Sequence, residues 1–86
     1  MPRDPKSVRM LQQFGQRLRA ARITAGYNDA SEFAAAIGID SHRYRKNERG
    51  ESLPHLDALE RMSRHLNCTL DWLLLGKSSD RRDTLQ

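Results

Sequence analysis

The fold turns on residues 29–50, DASEFAAAIGIDSHRYRKNERG. Asp29-Ala30-Ser31-Glu32 has the form of a capping box, an N-cap oxygen followed three residues later by a carboxylate. Ala30, Phe33, Ala34 and Ile37 then recur at helical spacing and predict a helix of about two turns with one inward stripe. Ala34, Ala35 and Ala36 are small enough to let another helix approach closely. Gly38 ends this helix, and Asp40 is placed to cap the next, Ser41 to Arg49. Tyr44 is the only large apolar side chain in that second helix, whereas Ser41, His42, Arg45 and Lys46 share the opposite face through i, i+1, i+4, i+5 spacing. From Ser41 to Arg49 there are four cations and one carboxylate, so most of the net +4 of the chain is concentrated there. A helix, a tight turn and a second helix with a basic, polar outward face is the arrangement that lays a helix in a DNA major groove.

The flanking sequence supplies a scaffold. Met1 to Lys6 holds two prolines and reads as a flexible lead. Ser7 is the expected cap of a helix running to about Ala25, with Met10, Leu11, Phe14, Leu18, Ala21 and Ala25 on one face and Gln12, Gln13, Gln16, Arg17 and Arg19 mainly off it. Gly26 suits its left-handed terminus. Glu51 to Pro54 is a linker. Leu56, Leu59, Met62 or Ser63, and Leu66 predict the buried stripe of a fourth helix, with Arg61, Arg64 and His65 outward. Asn67 can end it in the left-handed conformation, and Thr69 caps a last short helix, LDWLLLG, closed by Gly76. Residues 77–86 are polar, alternate in charge and are expected to be disordered. The division is therefore a lead over 1–6, one domain over 7–76 and a tail over 77–86.

The totals exclude much else. Eighty-six residues accommodate one domain. Cys68 is the only cysteine, which rules out an intrachain disulfide and agrees with a reducing, cytoplasmic setting. It reads as a small buried filler rather than a nucleophile. His42, His55 and His65 lack metal-ligand spacing, so no metal or cofactor is expected. The start, MPRDPKSVR, has no apolar core of a signal peptide. The longest apolar run, Trp72 to Leu75, is far short of the ~20 residues that cross a bilayer. There is no phosphate-binding glycine loop, no paired carboxylates and no nucleophile with a base, so an enzyme is not expected.

From Phe14 to Gly76 the chain resembles the Cro and repressor type helix-turn-helix domains of phage and bacterial regulators, the XRE-like family. The resemblance rests on Arg17-Leu18-Arg19 with Arg22, Ala25-Gly26-Tyr27, Phe33-Ala34, Ile37-Gly38-Ile39, Tyr44 and Glu48-Arg49-Gly50. Pro54-His55-Leu56, Leu59, Leu66 and Leu70-Asp71-Trp72-Leu73-Leu74 complete it. It implies an all-α, compact five-helix, lambda-repressor-like fold. It also implies that Ser41, His42, Arg45 and Lys46 reach base edges, that Arg43 lies near phosphate, and that Arg22 and Glu48 form a semi-buried ion pair. Three departures are visible. One extra residue separates Gly26 from Gly38. The glutamine that usually opens the second helix is missing, leaving Asn28 as the phosphate candidate beside an Asp29 that would repel phosphate. Asn47 stands where an apolar or aromatic residue is common, which implies a looser seat for the third helix.

These readings predict a cytoplasmic, bacterial or phage-type DNA-binding transcriptional regulator, a repressor working as a homodimer on double-stranded DNA. His55, at the start of the fourth helix, is a further phosphate candidate, because backbone amides at a helix start attract anions. Leu70, Trp72 and Leu73 can close the core, and the apolar block Trp72, Leu74 and Leu75 is the expected dimer interface. The alternative is a protein-interaction module, such as an antitoxin or adaptor, that uses Trp72 to Leu75 for a different partner.

Overall fold

The computed structural model describes residues 4–77. Residues 1–3 and 78–86, with most of the expected lead and tail, lie outside that range. Five helices follow in order: α1 Pro5–Thr24, α2 Ala30–Ala36, α3 Ser41–Glu48, α4 Leu56–Leu66 and α5 Leu70–Leu75, with no strand among the described residues.

The start of α1 differs from expectation. Asp4, not Ser7, is the N-cap: its carboxylate accepts from the Lys6 amide at 3.3 Å and from the Ser7 hydroxyl at 3.1 Å. Pro5 then fills the first helical position, where its missing N–H costs nothing. Pro5 and Lys6 are thus helical rather than part of a loose lead. Phe14 and Leu18 are buried as the spacing predicts, whereas Met10 and Ala25 are exposed.

Helix α2 ends in a Schellman arrangement. Gly38 N–H donates to Ala35 O at 3.2 Å and Ile39 N–H to Ala34 O at 2.9 Å, with Gly38 at φ 73°. Asp40 immediately caps α3 by accepting from the Arg43 amide at 3.0 Å. The connection between the two helices therefore holds only four residues, from Ile37, the C-cap of α2, to Asp40, the N-cap of α3. That brevity fixes how α3 crosses α2.

The core gathers around Phe33, which is fully buried and meets Tyr27 and Tyr44 edge-on at centroid distances of 5.0 and 5.4 Å. Such pairs add roughly 0.5–1.5 kcal/mol beyond area burial. Phe14, Leu18, Met62 and Leu73 surround this aromatic centre. Helix α4 presents Ala58, Leu59, Met62 and Leu66 inward. Leu56, expected to open that stripe, is 75 % exposed. It is the first residue of α4, ahead of the turn in which the helix meets the core, and Ala58 takes the inner place.

Helix α5 is short, so its unpaired carbonyls matter. Thr69 Oγ1 accepts from the Trp72 amide at 3.1 Å at its start. At its end Arg17 of α1 donates from Nε to Leu73 O at 3.0 Å and from an Nη to Leu74 O at 2.9 Å. Arg17, expected to face mainly outward, is instead half-buried, and burial pulls its pKa below the usual arginine range. Its cation meets the negative end of the α5 dipole and joins the first and last helices.

Candidate nucleic-acid interface

Helix α3 has a fully committed inner edge. Tyr44 and Asn47 are buried, and Glu48 is bound from two sides. The Arg22 guanidinium donates from Nε to Glu48 Oε2 at 2.6 Å and from an Nη to Oε1 at 3.3 Å, while its other Nη donates to Tyr27 O at 2.7 Å. The Tyr44 hydroxyl also donates to Glu48 Oε2. Burial, followed by that bond to the Glu48 carboxylate, pushes the Tyr44 pKa well above the ordinary phenol range. The hydrogen bond that Arg22 donates to Glu48 is the largest cause holding the Arg22 pKa above its usual value. The semi-buried ion pair that the resemblance implies between Arg22 and Glu48 is therefore present, and it is bidentate. A pair this buried sets register more than it adds stability, since desolvation offsets much of the attraction.

Asn47 does the reverse of what the family pattern implied. It is 2 % exposed, and its Nδ2 donates to Ser52 O at 2.9 Å and to Ser52 Oγ at 3.1 Å. A side chain expected to loosen α3 instead ties its last turn to the segment leading into α4. No buried side-chain nitrogen or oxygen among the described residues lacks a partner.

At about 3.6 residues per turn, this inner edge leaves His42 and Lys46 at the centre of the outward face, both exposed. Arg45 and Ser41 stand on one flank of that face, and Arg43 on the other. The four residues expected at base edges are thus not equivalent. Arg45 reaches back to α2, where an Nη donates to Ser31 Oγ at 2.6 Å, and it lines a groove of about 260 Å³ with Arg19, Ala30, Glu48 and Arg49. On the opposite flank Arg43 and His55 line one groove of about 340 Å³ with Asn47, Pro54, Asp57 and Arg61. Arg61 also donates from Nε to Ile37 O at 2.8 Å, which fixes α4 against the turn. Asn28 is exposed in the connection before α2, next to Asp29, whose carboxylate accepts from the Ser31 amide at 3.1 Å.

The apolar residues of α5 divide between two faces. Trp72 is half-buried and lines a groove with Ala21, Thr24, His65 and Cys68. Burial raises the Cys68 pKa, which makes its thiol a poor nucleophile. Leu74 and Leu75 line a different groove with Met10, Leu11 and Leu53, in which Leu75 is 49 % and Leu53 55 % exposed. Among the described residues no three His, Cys, Asp or Glu side chains gather into a metal-binding group, and no helix is long and apolar enough to cross a membrane.

Two helices joined by a four-residue turn, the second buried along one edge and polar along the other, make a helix-turn-helix DNA-binding domain. Comparison with known proteins agrees. A family model described as helix-turn-helix matches residues 18–73, and the chain belongs to that family, of the Cro and repressor (XRE-like) type. It is 36 % identical over 63 residues to an SPbeta prophage-derived uncharacterized HTH-type transcriptional regulator, YonR, of Bacillus subtilis (strain 168). That match covers 73 % of this chain and 57 % of the relative. No solved structure matches the chain.

Sequence reasoning missed Gly15, which lets α1 lie against the Asn47 and Glu48 carbonyls of α3, together with Arg17 and the partner of Asn47. Gly15 carried a signal: a glycine inside a helical run marks a close approach or costs about 1 kcal/mol for nothing. The other two carried none, since their partners lie at Leu73 and Leu74 and in the α3–α4 connection.

Proposed function

We propose that this chain is a sequence-specific transcriptional regulator, acting as a repressor in a bacterial or phage-type cytoplasm, that occupies DNA through α3. The observation that carries the reading is the division of α3 itself: Tyr44, Asn47 and Glu48 are spent on the fold, which leaves His42 and Lys46 exposed opposite them. The likeness to a protein described as an HTH-type transcriptional regulator supports it. Lys46 can donate to guanine O6 and N7, and His42 and Ser41 can donate or accept at neighbouring bases. Arg43 and His55, gathered in one groove, serve a backbone phosphate beside them. Selection of bound duplexes from a random pool tests the proposal. Lys46→Ala is then expected to lose roughly 1–3 kcal/mol of discrimination at a single base pair while keeping its affinity for unrelated DNA. Unchanged preference at every position would remove Lys46 from the reading set.

One recognition helix covers few base pairs, and a twofold dimer reading half-sites about 34 Å apart would extend the site. The exposed apolar groove of Met10, Leu53, Leu74 and Leu75 supports a homodimer contact there. The same groove favours a second reading, in which the domain serves as an antitoxin or adaptor and a different protein fills it. Leu75→Asp separates the two. Under the homodimer reading, sedimentation with bound DNA shifts from two chains per duplex to one, and affinity falls at least tenfold. Under the second reading, stoichiometry and affinity on DNA stay as they were.

A further inference from the structure

The flank of α3 that faces α1 and α2 carries more positive charge than a base-reading surface needs. Arg19, Arg45 and Arg49 line one groove with Ala30 and Glu48. Three arginines thus share the groove with one lining carboxylate, Glu48, which already holds Arg22 and the Tyr44 hydroxyl. Arg45 is drawn into the groove by Ser31, whose Oγ accepts one of its N–H groups at 2.6 Å. A guanidinium has five donors, so most of its capacity is left for a ligand. Arg49 shares two of its nitrogens with Glu51, at 2.8 and 3.3 Å, in an exposed ion pair. Exposed pairs of that kind are weak and exchange readily for a stronger anion. Ala30, with a single methyl, also lines the groove and leaves room for an anion among the arginines.

Resting on the DNA reading above, we infer that Arg45, with Arg19 and Arg49, forms a seat for one DNA backbone phosphate and does not read bases. Ser31 is its positioning residue. Planar guanidinium forks match phosphate oxygens well, and a phosphate held on this flank faces the one held by Arg43 and His55 across α3. The α3 helix would then be gripped by its two edges, with sequence read only by His42 and Lys46 between them and by Ser41 at the start of the helix.

The test uses a duplex recovered by selection and an unrelated duplex of equal length, each titrated by fluorescence anisotropy over a range of salt. Arg19→Ala, Arg45→Ala and Arg49→Ala are each expected to weaken both duplexes by the same factor, roughly three- to tenfold, and to lower the salt slope by about one. Ser31→Ala should weaken binding in the parent and have no effect in the Arg45→Ala background. Loss confined to the selected duplex with Arg45→Ala, together with new tolerance at one base pair, would overturn the seat and return Arg45 to the bases. An unchanged salt slope in all three variants would also overturn it. A parent that binds neither duplex in a salt-dependent way would overturn the DNA reading itself.

Discussion

Glu48→Ala is expected to cost about 3–5 kcal/mol, as much as truncating a core aromatic. Arg22 is 5 % exposed, and two of its nitrogens donate to the Glu48 carboxylate. Removing that carboxylate leaves a buried guanidinium with only Tyr27 O as its partner, and a buried Tyr44 hydroxyl with none. Small domains hold about 5–15 kcal/mol in all, so the variant sits near the edge of folding. Urea titration measures it as a fall in midpoint at constant slope. The paired replacement Arg22→Met with Glu48→Met should regain much of the loss, because neither charge is then buried alone. Equal stability of Glu48→Ala and the parent would show that water replaces the carboxylate at no cost.

The second large effect concerns Gly15, where alanine should harm a helix it ordinarily helps. Glycine in a helix interior is worse than alanine by roughly 0.5–1 kcal/mol. Here, however, a Cβ would run into the carbonyl oxygens of Asn47 and Glu48, both backbone atoms in the last turn of α3. Backbone cannot swing aside as a flexible side chain can. Gly15→Ala is therefore expected to lose about 3 kcal/mol, the upper part of the range for overpacked sites. It also pushes α3 off its seat, so DNA affinity should fall further than the unfolded fraction explains. Any gain in thermal stability would mean that α1 and α3 separate freely.

Elements whose causes are local were legible in the sequence. Asp29, Asp40 and Thr69 cap where expected, Asn67 takes φ 55°, and Gly76 closes α5 at φ 74°. Ser7 failed as a cap because Asp4 offers a carboxylate just ahead of Pro5, and the two signals compete within three residues. Leu56 failed because periodicity predicts the angle around a helix, not whether core exists at that height. Arg17 and Asn47 were misplaced for a common reason. Each has its partner on another element, and nothing in the residue itself states whether a polar side chain will turn toward solvent or toward a neighbour. For the site, the outward face of α3 could be read, but its division into a centre and two flanks could not.

Asn47 gives that division a dimension. One amide donates to both the carbonyl and the hydroxyl of Ser52, and the segment it holds leads directly to Pro54 and His55. The distance from α3 to the start of α4 is thus governed by a hydrogen bond of narrow length tolerance, where an apolar contact would slide. In mechanical terms the amide works as a spacer, keeping the start of α4 at a set width from α3. A residue that departs from the usual family pattern thereby gauges the width of the groove that Arg43 and His55 line.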